Sequence, residues 1–163
     1  MEETREESVK KLKEMLEDID FCMLTTLSNG KLKSRPMSTQ KFEFDGDLWF
    51  LTSDETHKVE EIAANDHVNV AYSQPDDNTF ISVCGRAEIL KDKQKIEELW
   101  NPVLKAWFPK GKDDPSLSLL KVKVEEAEYW DSSSSAIVQL VGFVKALATG
   151  TEADGGDHGK IGF

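Results

Sequence analysis

The feature that most constrains the fold of this chain is a series of short apolar segments separated by tight-turn dipeptides. Residues 21–27, FCMLTTL, have the composition of a buried strand; Asn29-Gly30 follows them, and a second extended segment covers residues 32–39. Asn-Gly tolerates the positive φ angles that a two-residue hairpin requires. The sequence therefore predicts an antiparallel hairpin near its start.

The same succession of strand and turn signals continues along the chain. A second turn signal, at residues 45–47, separates strand-like residues 42–44 and 48–52, and residues 67–72 alternate strictly between apolar and polar side chains. Later strands are predicted at 79–90, with Gly85 as a bulge, and at 120–131. Helical spacing of apolar residues predicts helices at 4–19, 53–65, 92–107 (divided at Asn101-Pro102) and 137–148.

About six or seven short strands joined by hairpin turns favour an antiparallel barrel, closed or split, because a parallel sheet needs a crossover helix after each strand. The predicted fold class is mainly β (α+β), an antiparallel β-barrel with flanking helices. A length of 163 residues suits one domain. We place that domain at residues 1–150 and expect the Gly-rich C-terminal tail, residues 151–163, to be loose.

The charge of the chain excludes some classes of partner. With 31 acidic and 20 basic side chains the formal net charge is −11, which argues against duplex DNA and other partners held through a phosphate backbone. No apolar run approaches the roughly 18 residues that span a bilayer, and the acidic N-terminal segment lacks the pattern of a signal peptide. We expect a cytoplasmic protein with no nucleic-acid partner and no membrane partner.

The common catalytic and metal-binding signatures are missing from the sequence. It contains no Gly-x-Gly-x-x-Gly, no Walker-type loop and no Gly-x-Ser-x-Gly elbow. His57, His67 and His158 are not spaced as metal ligands. Cys22 and Cys84 lie in separate apolar runs and are predicted to be reduced packing residues. Hydrolase and metalloenzyme functions are therefore disfavoured, and no metal is expected.

Residues 52–58, TSDETHK, lie where a predicted strand leads into the start of a helix. Free backbone N–H groups, hydroxyls and the ammonium group of Lys58 converge there, and such a helix end can hold a phosphate without glycines. The alternative is that Ser53 or Thr56 merely caps the helix and that Lys58 is a surface cation. Arg35 adds weight to the phosphate hypothesis, because its rigid fork suits bidentate contacts. A lone strand arginine is more often a surface ion-pair residue.

Four groups of residues resemble a known family in their order and spacing. They are Arg35-Pro36-Met37, residues 49–53 (WFLTS) with Lys58, residues 85–88 (GRAE) and residues 129–131 (YWD). Together they resemble the pyridoxamine 5'-phosphate oxidase-like, FMN-binding split barrels. Residues 107–115, WFPKGKDDP, look like a signature of the general-stress-protein branch of that family. The likeness extends from about residue 21 to residue 131.

The resemblance implies a Greek-key split barrel that forms a homodimer, with FMN (or FAD) sites at the subunit interface and a small-molecule electron donor or acceptor. It places the cofactor phosphate on Arg35, Thr52, Thr56 and Lys58 and the flavin ring along residues 35–40, and in related members an aromatic residue matching Trp130 reaches the flavin from the other subunit. The full implied cofactor-binding set is Arg35, Pro36, Met37, Ser38, Gln40, Leu51, Thr52, Ser53, Thr56, His57, Lys58 and Trp130.

The chain also departs from true pyridoxamine-phosphate oxidases. Those enzymes have Ser-Arg-Lys where this chain has residues 56–58, Thr-His-Lys, and a lysine where it has Gln40. They follow the late tryptophan with arginine and histidine residues that hold the substrate phosphate, whereas Trp130 is followed by Asp131 and a run of serines. Oxidation of vitamin B6 phosphates is therefore not expected.

The remaining aromatic and histidine residues have ordinary interpretations. His57, at the start of a helix, is expected to be exposed or to donate to a phosphate as a neutral ring, with proton donation to a reduced flavin as the alternative. Trp49, Trp100 and Trp107 are predicted to pack in the core. Trp130 ends a strand, where it closes the barrel or covers a ligand ring.

The expected function is that of an FMN-binding general-stress-type protein, a flavin-dependent oxidoreductase whose substrate the sequence does not name. In such proteins the cofactor performs the difficult chemistry, so no acid–base dyad is needed. The alternatives are a non-catalytic flavin-binding or buffering module, a split barrel that binds FAD, haem or a deazaflavin, and a ligand-free dimerising domain.

Overall fold

The described residues contain seven antiparallel strands, all in one sheet. The computed structural model describes residues 4–39, 44–131, 147–150 and 157–163. The strands are β1 (Phe21–Ser28), β2 (Lys31–Ser38), β3 (Asp47–Ser53), β4 (His67–Gln74), β5 (Thr79–Leu90), β6 (Leu117–Asp131) and β7 (Asp157–Gly162). The helices are α1 (Arg5–Leu16), α2 (His57–Ala64) and α3 (Lys93–Leu99), with 3₁₀ turns at Pro75–Asp77 and Pro102–Ala106.

The order of strands in the sheet is β2-β1-β4-β5-β6-β3, and β7 is added beside β6. The long strand β6 has β5 along one side. On its other side, residues 117–123 pair with β3 and residues 126–131 pair with β7. The sheet curls into a half-barrel, which confirms the predicted split antiparallel barrel with flanking helices.

A bulge marks the point at which β6 changes partners. The register shifts between Cys84 and Gly85, so that Glu125 has no partner in β5. The carbonyl of Glu125 instead accepts a hydrogen bond from the backbone N–H of Phe163, at 3.1 Å. A Cβ atom at Gly85 would lie 2.3 Å from the carbonyl oxygen of Lys123, so the two strands approach this closely only because residue 85 is glycine. The irregularity falls at Gly85 as predicted, but the extra residue of the bulge, Glu125, lies on β6 rather than on β5.

Two other local features follow from residues that are close in sequence. Asn29 and Gly30 have φ angles of 49° and 73°, as the predicted hairpin turn requires. At the start of α1 the Thr4 hydroxyl accepts from the backbone N–H of Glu7, and the Glu7 carboxylate accepts from the backbone N–H of Thr4 at 2.8 Å. This reciprocal arrangement is a capping box, which satisfies two backbone donors at the helix terminus.

The main core lies on the inner face of the sheet, where alternate residues of the strands are buried. Tyr72 of β4, Phe50 of β3 and Leu24 of β1 are among its largest fully buried side chains. Helix α1 packs on this core through Leu12 and Leu16. The period-2 pattern in the strands and the period-3.6 pattern in α1 therefore meet on one apolar surface.

A second, smaller core lies between strands β3 and β6 and residues 93–108, with Trp49, Trp100 and Phe108 at its edge. Its buried members are Leu51, Ile96, Leu99, Leu104, Leu117 and Leu119. Trp107, in contrast, is 69% exposed, so the prediction that it packs in the core is wrong. The preceding segment is a 3₁₀ turn, with about three residues per turn, and this rotates Trp107 away from the face that α-helical spacing predicts.

The C-terminal residues also differ from the sequence-based expectation. Strand β7 pairs with residues 126–131 of β6, and Ile161 is only 1% exposed. The prediction of a loose tail is therefore wrong for residues 157–163, while residues 151–156 lie outside the described ranges. A six-residue segment with two glycines carries little strand signal of its own, and the edge of β6 beyond the reach of β3 supplies its backbone partners.

Both cysteines are free, as predicted, but only one is a packing residue. Cys22 is buried, and this burial raises the pKa of its thiol to about 11. Cys84 is exposed on β5, where its sulfur lies 3.6 Å from the side-chain nitrogen of Asn69. Its predicted packing role is wrong, because it faces away from the core that the neighbouring Val83 enters.

Some predicted elements fall outside the described residues. The strand predicted at 42–44 lies mostly there, as do Gln40 and most of the helix predicted at 137–148. Among the helices that the structure does describe, none has the length and apolar character needed to cross a membrane.

We predict that Ile161→Ala destabilises the fold by about 2–5 kcal/mol, because it leaves a cavity in the main core. The measurement is equilibrium unfolding in urea. Lys160→Ala is the matched control: it changes the neighbouring residue of β7, whose side chain is 64% exposed, and should alter stability by no more than about 0.5 kcal/mol. Equal effects of the two substitutions would show that β7 does not contribute to the core.

Candidate functional site

Strands β1 and β2 and helix α2 bring three cationic side chains around one carboxylate. Lys33 and Arg35 are two residues apart on β2, so they lie on the same face of the strand. Lys33 is directly opposite Thr26 of β1. Helix α2 packs against β1 and contributes Lys58 and Glu61. We refer to Thr26, Lys33, Arg35, Lys58 and Glu61 as the charged cluster.

Three members of the charged cluster form a closed ring of hydrogen bonds. Arg35 donates from Nη1 to the hydroxyl oxygen of Thr26 at 2.7 Å and from Nη2 to Oε2 of Glu61 at 2.8 Å. The Thr26 hydroxyl in turn donates to the same Glu61 oxygen at 2.5 Å. Two of the five N–H donors of the guanidinium group are thus committed within the chain, and its orientation is set by two separate contacts.

Glu61 is an almost fully buried carboxylate, with a side chain 7% exposed. The hydrogen bond from Thr26 holds the pKa of Glu61 below its ordinary value, as do the charge and hydrogen bond of Arg35 and the charge of Lys33 at 3.7 Å, although burial opposes them. Glu61 is therefore ionised at neutral pH. A buried carboxylate is tolerated only when it is paired in this way.

Lys58, the second residue of α2, is half-buried within the charged cluster. Burial lowers its pKa, and the positive charge of Arg35 lowers it further, while the negative charge of Glu61 acts in the opposite direction. The ammonium group thus lies within electrostatic range of both side chains. An added anion would favour the protonated form of Lys58.

Thr52, near the end of β3, carries a buried hydroxyl that lacks a partner among the described residues. Leaving such a group unpaired costs about 1–3 kcal/mol. Thr52 belongs to the strand-to-helix segment that the sequence analysis singled out. A ligand oxygen at this position would supply the missing partner, so the residues present fit a phosphate group.

The start of α2 does not use the side chain of its N-cap residue as a cap. Thr56 occupies that position, but its hydroxyl donates to the carbonyl of Ser53 at 2.9 Å rather than accepting from the first turn. Ser53 accepts from the backbone N–H of Glu55 at 3.3 Å, which lies before the helix. The alternative in which Ser53 or Thr56 merely caps α2 therefore loses support.

The other residues of the predicted cofactor-binding set lie in varied surroundings. Met37 is buried in the main core and Leu51 in the second core, Pro36 is exposed, and Ser38 is partly buried. The side chain of His57 is 96% exposed, and its ring nitrogen is 3.9 Å from Glu60. The structure brings Arg35 and Lys58 together and leaves His57 outside the charged cluster.

Trp130 lies on the outer face of β6 and is 42% exposed. Its indole ring stacks on the imidazole of His158 from β7, with 5.1 Å between ring centroids and an interplanar angle of 9°. His158 is held in turn by the carboxylate of Glu128 at 2.8 Å. This contact of His158 was not predictable from the sequence, because it depends on the pairing of β6 with β7.

Trp130 is part of a larger apolar surface on the outside of the sheet. Phe80 is directly opposite it on β5, and Phe21 and Met23 lie on the same face of β1. All four side chains are more than 40% exposed. We call Phe21, Met23, Phe80 and Trp130 the outer apolar face. Four exposed apolar side chains on one face of a sheet make that face a candidate interaction surface.

Sequence reasoning identified Arg35 and Lys58 but missed Glu61. An acidic residue in a charged helix ordinarily indicates a solvated surface. Two signals were available: Glu61 is next to the apolar Ile62, and it follows Lys58 by three residues. Together they place Glu61 on the buried side of a short helix, next to a cation. Its role depends on Thr26 and Arg35, which are remote in sequence.

Comparison with known proteins agrees with these observations. A family model described as "Pyridoxamine 5'-phosphate oxidase like" matches residues 7–154. The chain belongs to this family. General stress protein 26 of Bacillus subtilis, a relative of this pyridoxamine 5'-phosphate oxidase-like chain, is 30% identical over 135 residues, which cover 80% of this chain and 94% of that protein. The family predicted from the four residue groups is confirmed.

Solved structures show the same fold. A protein of Jannaschia sp. CCS1 assigned to general stress protein 26 aligns with a TM-score of 0.76 and 26% identity, covering 94% of this chain and 97% of that chain. The general stress FMN/FAD binding protein of Xanthomonas citri aligns with a TM-score of 0.68 and 28% identity, covering 80% of this chain and 92% of that chain. The split-barrel fold is therefore shared with members of the general-stress group.

The lowered pKa of Glu61 predicts how stability depends on pH. A carboxyl group whose pKa is lower in the folded state stabilises the fold above its ordinary pKa of 4.5, and this contribution is lost as pH falls through the folded value. Glu61→Gln should therefore lower the free energy of unfolding by about 1–3 kcal/mol at neutral pH. The difference in unfolding free energy between this variant and the wild type should become smaller below pH 4.5.

Urea unfolding across this pH range is the measurement. Glu60→Gln is the control, because the Glu60 side chain is 85% exposed on the same helix. We expect this variant to have nearly the unfolding free energy of the wild type at every pH. A deficit of Glu61→Gln that stays constant as pH falls would contradict the assignment.

Proposed function

We propose that this chain binds FMN at the charged cluster and acts as a flavin-dependent oxidoreductase of the general-stress type. One observation carries the proposal: in a chain of net charge −11, Arg35, Lys58 and Lys33 converge on Glu61. Lys58 belongs to the same strand-to-helix segment as Thr52, whose hydroxyl lacks a partner among the described residues. A phosphate supplies what this arrangement needs, which is negative charge and acceptor oxygens.

Membership of the pyridoxamine 5'-phosphate oxidase-like family supports FMN as the group that carries the phosphate. The name of the Xanthomonas citri protein, which includes FMN/FAD binding, is consistent with FMN or FAD. In this proposal Arg35, Thr52, Thr56 and Lys58 hold the phosphate, and the flavin ring lies along residues 35–40. Thr56 would take part by turning its hydroxyl away from the carbonyl of Ser53. The bound flavin supplies hydride or electron exchange with a small-molecule donor or acceptor.

The residues of the chain perform the binding and orienting steps. Arg35 retains three N–H donors beyond the two bonded to Thr26 and Glu61, enough for a bidentate contact with phosphate. Lys58 adds a point charge, and Thr52 gains a partner. Because these groups are already placed by β2, β3 and α2, little ordering is required when the ligand arrives.

We do not expect turnover of vitamin B6 phosphates. A second phosphate next to the flavin requires further cations, but Trp130 is followed by Asp131, whose carboxylate accepts from Thr79 at 3.1 Å. A flavin-binding protein without turnover is the second candidate function. The exposure of His57 favours it, because the charged cluster then includes no histidine to transfer a proton.

We also propose that the protein is a homodimer, with a second copy on the outer apolar face. The flavin sites would lie between the subunits, where Trp130 of one subunit would reach the flavin of the other. The stack of Trp130 on His158 supports this role, since it holds a large exposed ring in one orientation. The two free cysteines are consistent with a cytoplasmic location.

The proposed phosphate site predicts tighter binding of FMN than of riboflavin. Lys58→Ala should lower the affinity for FMN about ten- to a hundredfold, because it removes a charge-assisted contact, and should leave riboflavin binding nearly unchanged. Fluorescence titration of the flavin-free protein measures both. Lys31→Ala, which removes an exposed lysine of the same sheet, is the control. Equal affinities of the wild type for FMN and riboflavin would refute the phosphate assignment.

The proposed dimer predicts a sedimenting species of twice the 18.3 kDa chain mass. Phe80→Glu should shift it toward the monomer, because a carboxylate is costly to bury in an apolar interface. Val103→Glu is the control: Val103 is also exposed, at 76%, but lies on a 3₁₀ turn and not on a strand of the sheet. A wild-type monomer with bound flavin, or a Phe80→Glu dimer as stable as the wild type, would contradict the proposed interface.

A further inference from the structure

Glu61 is absent from the residue set that the family resemblance implies, yet Thr26, Arg35 and Lys33 all contact its carboxylate. Its Oε2 accepts from both Thr26 and Arg35, and its Oε1 faces the ammonium group of Lys33 at 3.7 Å. Both carboxylate oxygens are therefore engaged by groups from β1 and β2, although Glu61 itself lies on α2.

We infer that Glu61, together with Thr26, is the positioning residue that fixes Arg35 for recognition of the phosphate monoester of the cofactor. The inference rests on the proposed function, and it assigns the preference for a phosphorylated over an unphosphorylated flavin to a residue that does not touch the ligand.

The geometry supports a positioning role. An arginine side chain has about 2 kcal/mol of rotamer entropy, which must be lost before its fork makes a directional contact. Here the contacts of Nη1 with Thr26 and of Nη2 with Glu61 hold the guanidinium plane at two points without a ligand. The entropy is thus lost during folding rather than during binding, which favours affinity.

The charges support the same role. Lys33, Arg35 and protonated Lys58 carry three positive charges, and Glu61 compensates one of them. The charged cluster therefore keeps a net charge of about +2, which matches the dianionic phosphate monoester. Arg35 is only 23% exposed, so without Glu61 a largely buried cation would have no anionic partner in the cluster.

A purely structural role for Glu61 makes a different prediction. If Glu61 only neutralised buried charge, its removal would weaken the whole barrel and lower the affinity for every flavin alike. A positioning role acts through Arg35 alone, so it affects a ligand that carries a phosphate and spares one that does not. The ratio of FMN affinity to riboflavin affinity separates the two roles.

The test uses the full chain, freed of flavin, titrated with FMN and with riboflavin by fluorescence. Glu61→Ala should lower the affinity for FMN at least about tenfold and change that for riboflavin less than about threefold. Glu61→Gln keeps an oxygen that accepts from Thr26 and Arg35, so it should recover most of the FMN affinity. Glu60→Ala, at the exposed neighbouring position, should match the wild type.

Thr26→Val provides a second variant if Glu61→Ala does not fold. It removes the hydroxyl that joins Arg35 to Glu61 while keeping the shape of the side chain, and it should reduce the FMN-to-riboflavin ratio in the same direction. An unchanged ratio in Glu61→Ala, or in Thr26→Val where the first variant is unfolded, overturns the inference. A wild type that does not prefer FMN overturns the proposed function itself, and this inference with it.

Discussion

The pairing of β5 with β6 is the constraint on which the rest of the structure depends. It runs from Thr79 opposite Asp131 to Leu90 opposite Leu119, and it joins the β2-β1-β4 part of the sheet to β3 and β7. The bulge at Gly85 allows one half of β6 to serve β3 and the other half to serve β7. Tyr129 and Trp130 lie on the two sides of this ladder, so the same register that buries Tyr129 in the main core exposes Trp130 on the outer apolar face.

The charged cluster shows how an acidic protein can offer a site for an anion. The net charge of −11 is a property of the whole chain, whereas the potential at a site depends on the nearest charges and on how well water screens them. Arg35 and Lys58 are partly shielded from water and lie beside a single buried carboxylate. The same carboxylate allows these cations to remain close together when no ligand is present, because it compensates part of their repulsion.

Local signals made much of the fold predictable, including the Asn29-Gly30 turn, the capping box of α1 and the bulge at Gly85, because each depends on residues close in sequence or on one steric requirement. The failures depend on partners remote in sequence or on a change of helical period. Strand β7 forms because β6 offers an edge, and Trp107 follows a 3₁₀ turn. In the candidate site, Arg35 and Lys58 were predictable from residue type and context. Glu61 was not, because an acidic residue in a polar helix looks like surface until the tertiary fold places an arginine against it.

The shared role of β6 restricts how chains of this shape can vary in length. A strand exposes successive side chains on opposite faces, so the loss of one residue after Glu125 would exchange Ala127 and Tyr129 for their charged and exposed neighbours. On a strand with one partner, such a change affects one ladder. On β6 it would misalign β5 and β7 together, and the stack between Trp130 and His158 would be lost with them. We therefore expect this chain to tolerate insertions and deletions in its connecting loops far better than within β6.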